Sequence, residues 1–218
     1  MIEAVILDLD GLLIQTEELW DGVRAGLARE RGARYDADAQ RAMMGMSAPE
    51  WSRFMHEELG MPERPDEISA EVVRRMEAHY RERLPLLPGA VEAVERLAAQ
   101  WPLGLASSSN RALIDAVLEL AGLEHFFRAT VSSEEVARGK PSPDVYLEAA
   151  RRLGVVPDRC AAVEDSESGI RSARAAGMRV VAIPNPSFPP GEDALADADV
   201  VLASLDELVP DIVDPSAP

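Results

Sequence analysis

Residues 4–11 read Ala-Val-Ile-Leu-Asp-Leu-Asp-Gly. Four apolar residues in unbroken succession, cut off by two aspartates and a glycine, describe a short strand buried on both faces that ends at a polar edge. Three further runs have the same form: 103–109 (LGLASSS), 161–165 (AAVED) and 179–184 (RVVAIP). Helical patterns separate them. Residues 90–100 set Val91, Val94, Leu97 and Ala98 on one face. Asn110 is placed to cap residues 111–121 before Gly122, and Ser142 to cap the helix that runs through DVYLEAARRL to Gly154. Residues 166–176 end in the same way at Gly177. Buried strands alternating with helices predict an α/β fold, a doubly wound parallel sheet.

The stretch 16–85 breaks this rhythm. Leu19, Val23 and Leu27 recur at helical spacing, as do Ile68, Val72, Met76 and Tyr80, and Ser47-Ala48-Pro49-Glu50 fits a capping box. An all-helical insert at 16–85 between two parts of an α/β core, 1–15 and 86–218, is the expected organisation. Met43, Met44, Met46, Met55, Met61 and Met76 fall inside the insert, where their adaptable side chains serve helix packing. The segment after Pro210 is expected to fray.

The chain has 218 residues, with 22 Lys+Arg against 39 Asp+Glu and a formal charge of −17. That balance excludes a general binder of nucleic acid or anionic membranes, whose affinity rests on clustered positive charge. Cys160 is the only cysteine, so neither an internal disulfide nor a cysteine metal cluster can form, and a buried free thiol is expected. Asp8 and Asp10 interrupt the first apolar run too early for a signal peptide, and no apolar run approaches the ~20 residues that span a bilayer. A cytoplasmic protein follows as the expectation, with a monomer as the default state.

Ligands of open parallel sheets sit beyond the carboxyl ends of the strands. That rule gathers Asp8 and Asp10, Ser107, Ser108 and Ser109, Glu164 and Asp165, with Lys140 just ahead of a helix. Clustered carboxylates repel; like charges 4 Å apart cost about 4 kcal/mol at an effective dielectric of 20. A cation is therefore needed, and an all-oxygen donor set favours Mg²⁺. Three carboxylates, one divalent ion and Lys140 carry no net charge together, so a phosphate dianion can enter. Lys140 is the only lysine in the chain, a compact point charge able to bridge a carboxylate and a phosphoryl oxygen.

Taken in order, Asp8-Leu9-Asp10-Gly11, Ser107 in LASSS, Lys140 in GKPSPD and Glu164-Asp165 in EDSESG resemble the four motifs of the haloacid-dehalogenase-like (HAD) hydrolase superfamily. The resemblance implies that Asp8 attacks phosphorus to form an aspartyl-phosphate, that Asp10 protonates the departing alkoxide and then activates water, and that Ser107 and Lys140 hold the transferring oxygens. It implies Mg²⁺ held by Asp8, the Asp10 carbonyl and Asp165, with Glu164 direct or one water away. An acid at position 10 points to phosphate esters, since a halide would leave unprotonated.

An insert after the first motif resembles the helical cap of the beta-phosphoglucomutase-like branch, and DGLLIQTEELW with LPGAVEAVERL is most similar to its sugar-phosphate phosphatases. Trp20 stands where the mutases carry a cap histidine and Ala48 where they carry an arginine for a second phosphate, so the resemblance implies hydrolysis ahead of mutase chemistry. A receiver-like phosphoacceptor module is the other alternative; it has no use for a lid or for an acid aimed at a leaving group. The expected partner is a small phosphate ester, a sugar or polyol phosphate. Ser108, Ser109, Asn110, Thr16 and Trp20 are its expected contacts, with Trp51, Arg53, His56, Arg74 and His79 as further cap candidates, and His125 is assigned to structure.

Overall fold

A computed structural model describes residues 1–43 and 46–216; Met44, counted above among the insert methionines, lies outside the described residues. Six strands form one sheet: β1 (Ala4–Leu7), β2 (Leu103–Ser107), β3 (Phe127–Ser132), β4 (Cys160–Glu164), β5 (Arg179–Ala182) and β6 (Val200–Val201). Their order is β3-β2-β1-β4-β5-β6, and every pairing is parallel. Every residue of β1, β2 and β4 is buried, as unbroken apolar runs require when helices cover both faces. Successive side chains of β1 enter opposite layers, Val5 and Leu7 one and Ala4 and Ile6 the other. Each fully buried Leu or Ile contributes about 1.5–3 kcal/mol.

Ten α-helices accompany the sheet among the described residues: α1 (Glu17–Glu30), α2 (Ala37–Met43), α3 (Ala48–Glu57), α4 (Pro65–Glu82), α5 (Ala90–Ala98), α6 (Arg111–Ala121), α7 (Asp144–Leu153), α8 (Glu167–Ala175), α9 (Glu192–Leu195) and α10 (Pro210–Val213). None is long and apolar enough to cross a membrane. Helices α1 to α4 leave and rejoin the sheet side by side: the Gln15 amide donates to the Pro85 carbonyl at 2.8 Å and the Leu87 amide to the Leu13 carbonyl at 2.9 Å. Ser47 and Glu50 close the expected capping box on α3. Cys160 is a buried free thiol.

Three local expectations change. Helix α7 starts after Pro143 rather than at Ser142, whose hydroxyl donates to the Asp144 carboxylate at 3.2 Å. A sixth strand, β6, pairs with β5 in a segment where no strand was expected. As far as Ser216 the segment after Pro210 is not frayed: proline opens α10, Val213 is fully buried, and Asp214 Oδ2 accepts from the Ile2 amide at 2.8 Å.

Candidate active site

The four strand-end segments meet at one cavity of about 440 Å³, whose walls include Asp8, Asp10, Ser107, Ser108, Ser109, Lys140 and Asp165. Neighbouring parallel strands set this position. The backbone amide of Asp8 donates to the Val163 carbonyl at 3.0 Å, so the residue leaving β1 stands beside the end of β4. Gly11 has φ +86°, which turns the chain off the end of β1 toward the helices.

Lys140 is the hub of the acidic cluster. Its Nζ donates to Asp8 Oδ1 at 2.7 Å and to Glu164 Oε1 at 2.5 Å, and it lies 5.1 Å from the Tyr146 ring centre. The Tyr146 hydroxyl donates to the same Glu164 oxygen at 2.7 Å. Glu164 Oε2 accepts from the Asp165 amide, the Ser166 amide and the Ser166 hydroxyl. Both Glu164 oxygens are thus occupied by protein donors, whereas Asp165 Oδ1 is buried with no hydrogen-bond partner.

Two glycines make room for these acids. A Cβ on Gly169 would lie 1.9 Å from the Glu164 carboxyl, and one on Gly11 would lie 1.9 Å from Asp165 Oδ2.

Burial pushes Asp8 upward, Lys140 pulls it back and Glu164 raises it again, leaving it at about 8. Asp165 is driven well above the usual carboxylate range by burial, then by Glu164 and Asp8. Burial draws the Lys140 ammonium down, but Asp8 and Glu164 outweigh it and hold the group above its ordinary value. One lysine does not neutralise this cluster. Oxygens of Asp8, Glu164 and Asp165 lie within 4.8 Å of one another, and with the orphaned Asp165 oxygen this hard, all-carboxylate set fits Mg²⁺.

Asp10 faces a different set of neighbours. Its Oδ1 accepts from the Thr16 hydroxyl at 2.7 Å and the Trp20 indole at 3.3 Å, its Oδ2 from Ser109 at 2.7 Å and Ser107 at 3.4 Å.

Of the expected substrate contacts, Ser108, Ser109 and Trp20 line the cavity. Thr16 is fully buried and spends its hydroxyl on Asp10. Asn110 lies outside the cavity wall, donating to Glu134 at 2.7 Å and to Ser69 on α4 at 3.4 Å. Among the further cap candidates, Trp51 lines the cavity, whereas Arg53, His56, Arg74 and His79 do not. Arg74 pairs with Glu71, and His56 Nδ1 meets the Met61 carbonyl. His125 stacks on Phe126 with ring centres 4.0 Å apart.

Residues not singled out in the sequence also line the cavity: Glu17 and Arg24 on α1, and Asn185, whose side chain donates to Gln15 Oε1 at 3.3 Å. A glutamate that opens α1 and an arginine two turns further on read in sequence as solvated helix residues, and only the packing of α1 brings them to the cavity.

Residues 2–177 match the family model described as haloacid dehalogenase-like hydrolase. Over 213 residues the chain is 37% identical to hexitol phosphatase B of Escherichia coli (strain K12), an alignment covering 95% of this chain and 94% of that protein. It is 34% identical over 203 residues to the bifunctional riboflavin kinase/FMN phosphatase of Arabidopsis thaliana; that match covers 92% of this chain and only 53% of the longer protein. Among solved structures, CbbY from Rhodobacter sphaeroides in complex with xylulose-(1,5)bisphosphate superposes with a TM-score of 0.85 at 30% identity, over 95% of this chain and 96% of that one.

Proposed function

The chain belongs to the haloacid dehalogenase-like hydrolase family, and from that premise we propose that it is a Mg²⁺-dependent phosphatase of a small phosphate monoester, a sugar or polyol phosphate, working through an aspartyl-phosphate. One observation carries the reading: Asp8, paired with Lys140 at 2.7 Å, lines a cavity that also exposes Asp10 and three consecutive serines. The similarity to a hexitol phosphatase over nearly the whole chain supports a phosphorylated carbohydrate.

Asp8 attacks phosphorus through its carboxylate, forming one acyl phosphate bond as the ester P–O bond breaks. Asp10 delivers a proton to the departing alkoxide and then takes one from the water that opens the acyl phosphate. Thr16, Trp20, Ser107 and Ser109 hold Asp10 by both oxygens, so its carboxyl is oriented before substrate arrives. Lys140 orients Asp8 and offers positive charge to the transferring oxygens; Glu164 and Tyr146 fix the ammonium from behind. Asp8, the Asp10 carbonyl and Asp165 would hold Mg²⁺, with Glu164 as the further carboxylate of the cluster. The ion, when bound, supplies charge to balance the carboxylates and the incoming phosphate. Residues 16–85 act as a cap that excludes water and contacts the leaving group, on a core of residues 1–15 and 86–218.

Steady-state phosphate release from a panel of sugar and polyol phosphates, with Mg²⁺ present, tests the proposal. Wild type turns over at least one member and Asp8→Asn none. Wild type no faster than Asp8→Asn on every member would refute it.

A further inference from the structure

Helix α1 presents Glu17, Trp20 and Arg24 to the cavity, three positions that helical spacing aligns on one face. The Arg24 guanidinium carbon sits 4.6 Å from the Trp20 ring centre and 4.8 Å from that of Trp51, while the two indoles lie 6.0 Å apart at 59°. Its Nε is buried without a hydrogen-bond partner, and the group makes no ion pair among the described residues. Surface arginines of the same helical block behave differently: Arg75 is chelated by Glu30 and Glu71.

Three acids lie near Arg24, and none of them pairs with it within 4 Å. Asp21 accepts from the Tyr35 hydroxyl at 2.8 Å, and burial, then Asp10, push the Glu17 carboxyl above its ordinary value while Arg24 draws it back. Burial lowers Arg24 to about 10 against the pull of Tyr35, Glu17, Asp10 and Asp21, so it is charged at neutral pH. Two aromatic faces hold the cation in place but offer no acceptors for its five donors.

Trp20 also donates to Asp10, so a single indole separates the guanidinium from the acid that protonates the leaving group. A planar fork held between rings, with its donors unspent among the described residues, suits a bidentate anion.

We propose that Arg24 binds a second anionic group, a carboxylate or a second phosphate, on the part of the substrate that departs, so that the preferred esters are phosphates of sugar acids or sugar bisphosphates rather than of neutral polyols. This rests on the phosphatase reading above and narrows its substrate class.

The test compares kcat/KM on one open-chain six-carbon frame: sorbitol 6-phosphate (neutral), 6-phosphogluconate (carboxylate) and sorbitol 1,6-bisphosphate (second phosphate), each with wild type, Arg24→Lys and Arg24→Gln. Wild type favours at least one dianionic-plus-acid substrate over the neutral one by about tenfold or more, the range of a charged hydrogen-bonded pair. Arg24→Gln erases that ratio through KM, and Arg24→Lys keeps part of it. Preference for the gluconate alone identifies a carboxylate, and for the bisphosphate alone a phosphate.

Taking ratios cancels any general loss of activity in a variant, and the wild-type ratio stands even if a variant fails to fold. A wild-type ratio at or below one, or a ratio unchanged in Arg24→Gln, overturns the inference. If no ester in this set or the wider panel is cleaved faster than by Asp8→Asn, the phosphatase reading itself fails, and this one with it.

Discussion

Asp165 stands directly over Gly11: a Cβ added to the glycine would fall 1.9 Å from Asp165 Oδ2, at a backbone position whose φ of +86° already disfavours a side chain. The turn after β1 and the acid after β4 therefore occupy one space, and neither can change alone. Gly11→Ala is expected to displace Asp165, adding about 1–2 kcal/mol of left-handed backbone strain. Moving a carboxylate of such a cluster typically lowers metal affinity or activity by about 10–100-fold. Mg²⁺ titration of phosphatase activity checks this; an unchanged half-saturating Mg²⁺ would show that Asp165 does not hold the metal.

Tyr146 lies behind the cluster and does not line the cavity, yet its hydroxyl shares Glu164 Oε1 with Lys140. In Tyr146→Phe the ammonium is left as the sole donor to that oxygen and is drawn away from Asp8. Losing a hydrogen bond to a buried charged group costs about 1.5–3 kcal/mol of stability. Turnover is expected to fall about tenfold with KM little changed, the mark of a positioning residue. A raised KM with unaltered kcat would place Tyr146 in substrate binding.

The sheet was legible because β1, β2 and β4 are unbroken apolar runs, and such runs have few other places to go than a covered parallel sheet. Val200–Val201 was not, since two residues carry no pattern, and their pairing with β5 depends on where the preceding chain ends. Strand ends also explain why Asp8, Lys140, Glu164 and Asp165 could be gathered from sequence: parallel topology alone brings them to one edge, and the structure does bring them together. Arg24 illustrates the limit. Its place between Trp20 and Trp51 depends on the meeting of an α1 indole with an α3 indole 31 residues on, and nothing local to α1 distinguishes it from a solvated arginine.

Asn110 follows the serine run and was expected to meet substrate, but its amide joins Glu134, 24 residues on, and Ser69, 41 residues back. It ties α4 to the sheet beside a second cavity rather than facing Asp8. Asn110→Ala is expected to lower stability by about 1 kcal/mol, the ordinary net worth of such a bond, while KM stays within about twofold of wild type. Thermal denaturation and steady-state kinetics on one ester separate the two roles, and a tenfold rise in KM would return Asn110 to the substrate.

Metal-free protein is expected to lose stability as pH rises. Burial pushes Asp8 up to about 8 in the folded chain, against an ordinary value of 3.8. Between those values the folded state keeps a proton that the unfolded chain has released, so stability declines with pH across that window and is spared below it. Asp165 is shifted in the same direction by burial and by Glu164. The loss attributable to Asp8 has an upper limit on the order of 6 kcal/mol, and Asp8→Asn, which has no proton to give up, flattens the slope. Mg²⁺ competes with that proton, so its stabilising increment grows from about pH 5 to about pH 8 in wild type and shrinks in Asp8→Asn. Thermal midpoints in chelator and in Mg²⁺ across that range decide it: parallel slopes for the two proteins, with a pH-independent Mg²⁺ increment, would mean that Asp8 holds no extra proton in the metal-free fold.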